Sequence, residues 1–284
     1  MGLKAYLPLL KLRIGVLITF CAIVGFVATT DQLSLAKLVF LTIATFMASA
    51  GAGAFNHFFD RDIDGMMKRT STRPLPSGQV SNAYGVLGIA VGLMLGSFIF
   101  SSLTLNYIVS LHLFLGAFTY VVVYTVWLKR RSWLNIIIGG AAGSFAVLAG
   151  AASHSTELCL TPIWLALVLF FWTPSHFWSF AIVHKDEYRK AGVPMLPVLV
   201  EDSKSAWCIL VNTALLVGSS LLAYFYGTLG AIYLAAAVAV GVYFLYWNVQ
   251  LILNPSKDVA WKNFKASMAY LGILLTAIIF DVIV

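Results

Sequence analysis

The sequence predicts an all-α protein that crosses a membrane many times, and three observations carry this prediction. Hydrophobic residues make up 61% of the 284 positions and charged residues only 10%, whereas a soluble domain has about 25% charged residues. Apolar stretches of about 20 residues, long enough to cross a bilayer as a helix, recur along the chain. Runs such as IIIGGAAGSFAVLAGAA (136–152) lack the alternation that the strands of a membrane β-barrel require.

The apolar stretches are separated by short polar breaks and predict nine membrane helices in one domain, residues 1–284. The first four (about 14–128) and the next four (about 133–252) form two halves, and the ninth helix is extra. The predicted spans are 14–30, 38–55, 84–105, 107–128, 133–152, 162–183, 206–226, 229–252 and 264–284.

Basic residues predict the orientation of these helices, because loops rich in Lys and Arg face the cytoplasm. They gather near the N-terminus and in alternate loops, while the connections at 101–106, 153–161 and 226–230 have none. We therefore expect a cytoplasmic N-terminus in a bacterial plasma (inner) membrane. The same topology, with attraction to anionic membrane lipid, accounts for the net charge of +7 without any nucleic-acid partner.

A charged motif, FNHFFDRDIDGMMKRTSTRPLPSG (55–78), follows the second predicted span. Its Asn56, Asp60 and Asp64 recur every four residues, so they stack on one face of a helix. Oxygen ligands of this kind suit Mg²⁺, and neighbouring bases suit the phosphates of a diphosphate. A solvated, salt-bridged helix end is the alternative, which the cost of acids beside an apolar span disfavours. The candidate phosphate-binding bases are Lys68, Arg69 and Arg73.

A second motif, HFWSFAIVHKDEYRKAGVPMLPVLVED (176–202), repeats this arrangement after the sixth span. Its Asp186 lies 126 positions after Asp60, and each follows the second helix of a half. Two such acidic helix ends facing one cavity could hold Mg²⁺ around a single diphosphate. The alternative is a local salt bridge within the loop. The charged candidates here are Asp186, Glu187, Arg189 and Lys190.

These segments resemble a known family. NHFFDRDIDGMMKRTSTRPLPSG resembles the first aspartate-rich motif of UbiA-type intramembrane prenyltransferases, and TPSHFWSFAI with KDEYRKAGVPMLPV is similar to the protohaem IX farnesyltransferase (haem O synthase) branch. The segment YTVWLKRRSWLNIIIGGAAGS (124–144) is similar as well, so the resemblance covers essentially the whole chain. Leu12 and Ser175 stand where the family often has proline, and His184 where other branches place an aspartate. None of these departures removes a matched acid.

The resemblance implies transfer of a farnesyl group from farnesyl diphosphate to a vinyl group of haem B, with water addition, giving haem O and diphosphate. It implies Mg²⁺ as cofactor, and a downstream haem-modifying enzyme or a terminal oxidase assembly as a candidate partner. Metal and cationic groups would stabilise the departing negative charge. The implied metal ligands are Asn56, Asp60, Asp64, Asp186 and Glu187, and the cations include Lys68, Arg73, Lys129 and Arg130.

Aromatic residues and histidines suggest where an acceptor and an apolar tail would bind. His176 lies within the sixth span, and an intramembrane ionisable group is a functional candidate; the alternative is a hydrogen-bonded histidine in a helix seam. Tyr120 and Tyr124 are either cavity-lining or interfacial anchors. The proposed set for the acceptor or tail is His57, Tyr120, Tyr124, Trp172, Phe177 and His176.

Three rival functions remain open from the sequence. A secondary transporter would also have two similar halves and a broken helix, but here the acids cluster at one surface instead of the midplane. A prenyltransferase with a quinone-type acceptor is disfavoured by the KDEY…PMLP segment. A non-catalytic assembly factor would tolerate exchange of the acids.

Overall fold

The computed structural model describes residues 5–30, 32–157 and 159–284, and every regular element among them is helical. The predicted domain therefore extends beyond the described residues at positions 1–4. A 3₁₀ turn (Leu7–Leu10) precedes the helices, and a π-helix (Thr119–Leu128) continues the fifth. The helices are α1 (Leu12–Val27), α2 (Leu35–Phe59), α3 (Arg61–Met66), α4 (Ala83–Thr104), α5 (Tyr107–Phe118), α6 (Asn135–Gly139), α7 (Ala141–His154), α8 (Leu160–Val183), α9 (Lys185–Lys190), α10 (Leu196–Leu199), α11 (Asp202–Phe225), α12 (Ala231–Leu253) and α13 (Lys257–Ile283).

The prediction of an all-α fold with nine membrane-spanning helices is confirmed for the described residues, where nine helical segments are long and apolar enough to cross a bilayer. Several boundaries differ from the prediction. The first span begins at Leu7 instead of 14, the second runs from Leu35 to Phe59 instead of 38–55, and the ninth begins at Lys257 instead of 264. The ninth starts early because the Ser256 hydroxyl accepts a hydrogen bond from the backbone N–H of Val259 and caps the helix.

Helices α1 and α7, the first spans of the two predicted halves, cross with their backbones in close contact. A methyl group built on Gly25 would lie 2.2 Å from the carbonyl oxygen of Val147, and one on Gly150 would lie 1.9 Å from that of Ala22. Small residues allow such close backbone approach in membranes. The contact is reciprocal. Gly25 lies three positions after Ala22, which Gly150 contacts, and Gly150 lies three positions after Val147, which Gly25 contacts.

The fourth span changes from α-helix to π-helix at Thr119, and wider helical turns of this kind are frequent at functional sites. Its backbone N–H groups reach five residues back, as from Lys129 to Tyr124 at 2.8 Å. The hydroxyl of Thr125 also donates to the carbonyl oxygen of Tyr120 at 2.8 Å. The π-helix therefore sets the positions of the side chains that meet the first motif.

The second half is held together by a chain of buried amides and hydroxyls between α8, α11, α12 and α13. Pro174 removes a backbone donor inside α8, and the Asn212 amide of α11 donates to the nearby carbonyl oxygen of Phe171. Helix α13 contacts α1, α8 and α12 and so bridges both halves. The polar chain comprises the buried Ser175, Ser179, Thr213, Asn248 and Asn263 and the half-buried Asn212.

Candidate active site

The predicted stack of polar residues forms at the junction of α2 and α3. The helix is interrupted at Asp60, yet the backbone N–H of Asp60 donates to Asn56 at 2.9 Å and that of Asp64 donates to Asp60 at 2.8 Å. This four-residue ladder keeps the three side chains on one face, and all three are buried. The Asn56 amide donates to the Asp60 carboxylate at 2.7 Å and to the Thr125 hydroxyl at 3.1 Å.

Lys129 neutralises the fully buried Asp60. Its ammonium group forms a hydrogen-bonded ion pair with Oδ2 of Asp60, while the guanidinium of Arg130 lies 3.6 Å from Oδ1. An unpaired buried carboxylate would be strongly destabilising, so this pairing makes the folded site possible. The predicted roles of Lys129 and Arg130 beside the motif therefore agree with their positions.

Arg130 also links the π-helix to the exposed Asp62. Its guanidinium donates to both carboxylate oxygens at 2.7 Å and to the backbone carbonyl of Phe59 at 2.9 Å. These hydrogen bonds lower the pKa of Asp62 below its usual range and raise the pKa of Arg130. Arg130 thus stays charged and correctly oriented at the edge of the site.

Asp64 is paired from the opposite direction by Arg73. The two side chains form an ion pair at 2.6 Å, and the hydroxyl of Thr70 donates to the backbone carbonyl of Asp64 at 2.8 Å. The loop after α3 is therefore folded back over the motif, which places Arg73 within the site. The other predicted bases of this loop differ: Lys68 is exposed, and the guanidinium of Arg69 lies 5.1 Å above the Phe180 ring.

Lys11 is a site residue that the sequence did not reveal. It lies 45 positions before Asn56, yet its ammonium donates to the Asn56 side-chain oxygen at 2.5 Å and to the Tyr120 hydroxyl at 3.1 Å. It is also the one non-glycine residue with positive φ (47°) in the described part of the chain, a strained backbone state that concentrates at functional sites. Gly53 makes room for it, since an added Cβ would lie 3.2 Å from the Lys11 Cβ.

The second motif contributes differently from the prediction. Asp186 was expected to face the first motif, but it lies on the exposed side of α9 and pairs with Lys257 at 3.0 Å and Arg189 at 3.2 Å. The hydrogen bond from Lys257 lowers the pKa of Asp186. Glu187 takes the inward position instead, where its carboxylate accepts from the backbone N–H of Arg69 at 3.2 Å.

This difference has a geometric cause. The chain turns at His184 between α8 and α9, so the short helix runs along the surface of the bundle. Tyr188 anchors its buried side, which directs Asp186 to the opposite side, and burial raises the pKa of Tyr188. Arg189 and Lys190 are exposed with Asp186, so neither lies against the first motif.

An apolar groove leads away from the buried acids into the membrane layer. It contains about 630 Å³ of space, part of it open to the surroundings, and lies between α1, α2, α5 and α7. Lys11 and Tyr120 line the polar end, and Thr45 and His112 line the deep end. The rise from Thr45 to Asn56 along α2 is about 16 Å. The small residues that leave this space open include Ala48, Ala52, Gly53, Gly116, Ala117, Ala142 and Ala146.

Stacked aromatic rings connect this groove to α8. Tyr120 and Tyr124 stack with centroids 5.5 Å apart, and the ammonium of Lys129 lies 5.8 Å from the centre of the Tyr124 ring. Tyr124 and Phe177 both pack against one buried cluster that includes Ile63. The predicted tyrosines therefore lie in the site, between the acids and the sixth span.

His176 is stacked between two rings, of which the sequence identified only Trp172. The centroid distances are 4.2 Å to Trp172 and 4.4 Å to Phe264 of α13, and its Nδ1 lies 2.7 Å from the Ser267 hydroxyl. The other predicted histidine, His57, is buried in α2. Its Nδ1 has no hydrogen-bond partner among the described residues.

The first motif offers donors that fit a Mg²⁺ ion. Oxygen is the ligand that Mg²⁺ prefers, and Asn56, Asp60 and Asp64 present amide and carboxylate oxygens on one face. Oδ1 of Asp60 is buried without a hydrogen-bond partner in the described structure, which leaves a strong acceptor available. No cluster of three His, Cys, Asp or Glu side chains forms in residues 5–30, 32–157 or 159–284, so the set depends on the Asn56 amide and on substrate oxygens.

Comparison with known proteins gives consistent relatives. A Paramagnetospirillum magneticum protein named protoheme IX farnesyltransferase 1 is 50% identical over 281 residues, covering 99% of both chains. A Sulfurisphaera tokodaii protein named protoheme IX farnesyltransferase is 41% identical, covering 96% of this chain and 91% of its own.

Solved structures share the fold at lower identity. A digeranylgeranylglyceryl phosphate synthase superposes with a TM-score of 0.83 at 22% identity, covering 99% of this chain and 98% of its own. A UbiA homolog from Archaeoglobus fulgidus, bound to DMAPP and Mg²⁺, superposes with a TM-score of 0.71 at 17% identity, covering 97% and 99%.

The family profile agrees with both sets of relatives. The UbiA prenyltransferase family matches residues 16–273, a range that includes the two acidic motifs, the π-helix and almost all of the bundle. The chain belongs to the UbiA prenyltransferase family.

Proposed function

We propose that this protein transfers the farnesyl group of farnesyl diphosphate to a vinyl group of haem B, with addition of water, giving haem O and diphosphate. The observation that carries the proposal is the buried cluster of acids and bases at the polar end of an apolar groove. That arrangement suits a molecule with a doubly charged phosphate head and a hydrocarbon tail. The names of the full-length relatives support farnesyl as the tail and haem as the acceptor.

In this proposal the four cations around the first motif bind the diphosphate. Lys11, Arg73, Lys129 and Arg130 are held in place by Asn56 and the three aspartates of α2 and α3. Each base therefore has a defined position before the substrate arrives. Fixed cations of this kind stabilise the charge that develops on the leaving group as the carbon–oxygen bond breaks.

Mg²⁺ would be held by Asn56, Asp60 and Asp64, with Glu187 as the candidate from the second motif. When bound, it would polarise the phosphate oxygens and neutralise the departing diphosphate. The A. fulgidus homolog, bound to a prenyl diphosphate and Mg²⁺, supports this assignment.

The prenyl tail would lie in the groove between α1, α2, α5 and α7. Its walls are mainly alanine, glycine and isoleucine side chains, which match the polarity of a hydrocarbon and exclude water. Water exclusion protects the allylic cation, which forms when diphosphate departs, from premature hydrolysis. Tyr120 and Tyr124 lie where that cation would form, with their π-faces able to stabilise a positive charge.

The acceptor would bind against α8 and α13, where Trp172, His176, Phe177 and Phe264 form an aromatic surface. A flat macrocycle suits such a surface. We further propose that the charged loops face the cytoplasm of a bacterial plasma membrane, which requires the predicted cytoplasmic N-terminus. A haem-modifying enzyme or oxidase assembly that uses the product is the proposed downstream partner.

The test is extraction and mass analysis of haem from membranes that contain the wild type, Asp60→Asn or Asp258→Asn. We expect haem with an added hydroxyethylfarnesyl group in the wild type and in Asp258→Asn, and unchanged haem B in Asp60→Asn. Both variants replace an aspartate by asparagine, but Asp60 is buried, whereas Asp258 in the first turn of α13 is exposed. Unchanged haem B in all three samples would overturn the acceptor assignment.

A secondary transporter is the rival from another class. It predicts substrate movement without bond cleavage, so release of diphosphate from farnesyl diphosphate by purified wild-type protein decides between the two. Mg²⁺-dependent release supports the transferase, and its absence together with farnesyl diphosphate uptake into vesicles would favour the transporter.

A further inference from the structure

The imidazole ring of His176 is held on both faces and at one edge. Trp172 covers one face at an interplanar angle of 20° and Phe264 covers the other at 29°. Phe177 meets the ring at 90° with a centroid distance of 5.2 Å. A ring enclosed in this way cannot turn without moving α8 or α13. The direction of each nitrogen is therefore fixed by packing.

Ser267 decides which nitrogen of that ring carries the proton. Its hydroxyl donates to the backbone carbonyl of Phe264 at 2.6 Å, and one hydroxyl has one hydrogen to donate. The contact of 2.7 Å between Ser267 and His176 is consequently a hydrogen bond from Nδ1–H to the serine oxygen. In the neutral imidazole this hydrogen bond leaves the lone pair on Nε2, because only one of the two ring nitrogens then carries a proton.

The same residue also fixes the flanking tryptophan. The indole N–H of Trp172 donates to the backbone carbonyl of Ser267 at 2.7 Å. One turn of α13 thus holds two successive turns of α8 through a carbonyl and a hydroxyl. This double attachment is more than helix packing requires, and it preserves one orientation of His176.

Nε2 of His176 has no hydrogen-bond partner in the part of the chain that the structure describes. His176 is half-buried, and Nε2 is not one of the buried polar atoms that lack a partner, so this nitrogen is accessible to a ligand. Phe177, which meets the edge of the His176 ring, packs against the same buried cluster as Tyr124. The arrangement preserves a free, oriented base inside the membrane layer.

We propose that Nε2 of His176 coordinates the iron of the haem acceptor, with Ser267 as the positioning residue that fixes its tautomer. This rests on the proposed function, which makes haem the acceptor. Neutral imidazole is a common haem ligand, and a hydrogen bond on its other nitrogen orients it and raises its basicity. The nitrogen donates an electron pair to iron and no proton moves. Coordination would anchor the macrocycle, so that one vinyl group is presented to the farnesyl cation.

The experiment compares binding of iron(III) haem B and of metal-free protoporphyrin IX to the full-length protein, followed by optical absorption. We expect a histidine-ligated spectrum for wild type with haem, its loss in His176→Ala, and its recovery when free imidazole is added. Metal-free protoporphyrin should bind His176→Ala and wild type equally, because it has no iron to ligate.

Variants of Ser267 test the positioning role. Ser267→Ala should weaken haem ligation about tenfold, the size expected for one lost hydrogen bond, and Ser267→Thr should restore it by supplying a hydroxyl. The matched control is Ser220→Ala. Ser220 likewise donates to a carbonyl of its own helix and accepts from a ring residue of another helix, Tyr270, but lies outside the aromatic surface. We expect the haem spectrum of Ser220→Ala to match that of the wild type.

Two results would overturn the inference while leaving the proposed function intact. One is an unchanged ligated spectrum in His176→Ala. The other is an equal loss of haem and metal-free protoporphyrin binding in that variant, which would make His176 a packing residue. If the wild type binds neither porphyrin, the haem acceptor itself is wrong and the inference fails with it.

Discussion

The two acidic motifs occupy corresponding places in the predicted halves, but the structure uses them differently. In the first motif Asp60 and Asp64 are buried and each is paired with a base from another segment. In the second motif Asp186 is exposed and paired with Lys257, and His176 lies half-buried between aromatic rings. The first half therefore presents charge to the interior, whereas the second presents aromatic surface.

This difference shows that burial, more than charge, distinguishes an aspartate of the site from an aspartate in a surface ion pair. An exposed ion pair is screened by solvent and contributes little to stability, so the position of Asp186 is weakly constrained. A buried carboxylate must be matched by a cation or a metal, so Asp60 constrains Lys129 and the π-helix around it. In the proposed reaction the first motif binds the diphosphate of the donor, and the aromatic surface of α8 and α13 binds the acceptor.

The largest effect is expected for Asp60→Asn. The change removes the charge that orders Lys129 and Arg130, and we expect farnesyl transfer to fall by about 10²–10³-fold, as when one electrostatic contact to a transition state is lost. Initial rates of diphosphate release measure this. Asp258→Asn is the matched control and should change the rate less than about threefold, because Asp258 is exposed and lies outside the first motif. Equal losses in the two variants would remove burial as the explanation.

The seam between the halves gives the next largest effect. Gly150→Ala places a methyl group against the carbonyl of Ala22, and we expect a loss of about 3 kcal/mol in unfolding free energy, at the upper end for overpacking. Gly143→Ala on the same helix meets no atom within 4 Å and should be neutral or slightly stabilising. Thermal unfolding in detergent distinguishes them. Similar melting temperatures would mean that α1 and α7 separate easily.

Lys11 tests whether the donor site extends beyond the motif. Lys11→Met removes a cation that holds Asn56, and we expect kcat/KM for farnesyl diphosphate to fall about 10–100-fold, the range for a charged contact to phosphate. Arg13→Met is the control, since Arg13 is exposed two positions away. A matching loss in Arg13→Met would indicate a general electrostatic effect of the N-terminal segment.

The groove predicts the choice of prenyl chain. Ala48→Phe fills the middle of the groove, and we expect the ratio of rates for farnesyl over geranyl diphosphate to fall about tenfold, within the range for steric discrimination in an apolar pocket. Ile43→Phe, on the exposed side of the same helix, should leave that ratio unchanged. If Ala48→Phe alters both donors equally, the tail lies elsewhere.

The smallest effect is expected at the second motif. Asp186→Asn breaks an exposed pair, and we expect transfer rates to change by less than about threefold. Glu187→Gln should reduce them more, because Glu187 contacts the first motif's loop. A loss in Asp186→Asn as severe as that in Asp60→Asn would restore the symmetric metal site that the sequence alone predicts.

Local sequence pattern predicted the features that depend on neighbours in the chain. The nine spans follow from apolar length, and the alignment of Asn56, Asp60 and Asp64 follows from the helical period. Lys11 and Ser267 were not predicted, because their roles arise from contacts with residues 45 and 91 positions away. Positive φ at Lys11 left no signal in the sequence either.

The second motif was harder to interpret because its pattern permits two orientations. Adjacent acids in a short helix point about 100° apart, so one residue of difference decides whether Asp186 or Glu187 faces inward. The turn at His184 and the burial of Tyr188 settle that choice, and both depend on packing between distant segments.

The most direct test of separate donor and acceptor sites is equilibrium binding of both substrates to Asp60→Asn and His176→Ala. The account predicts that Asp60→Asn loses Mg²⁺-dependent farnesyl diphosphate binding but retains haem, and that His176→Ala loses ligated haem but retains farnesyl diphosphate. Loss of both substrates in either folded variant would contradict the separation of a donor site at the first motif from an acceptor site at α8 and α13.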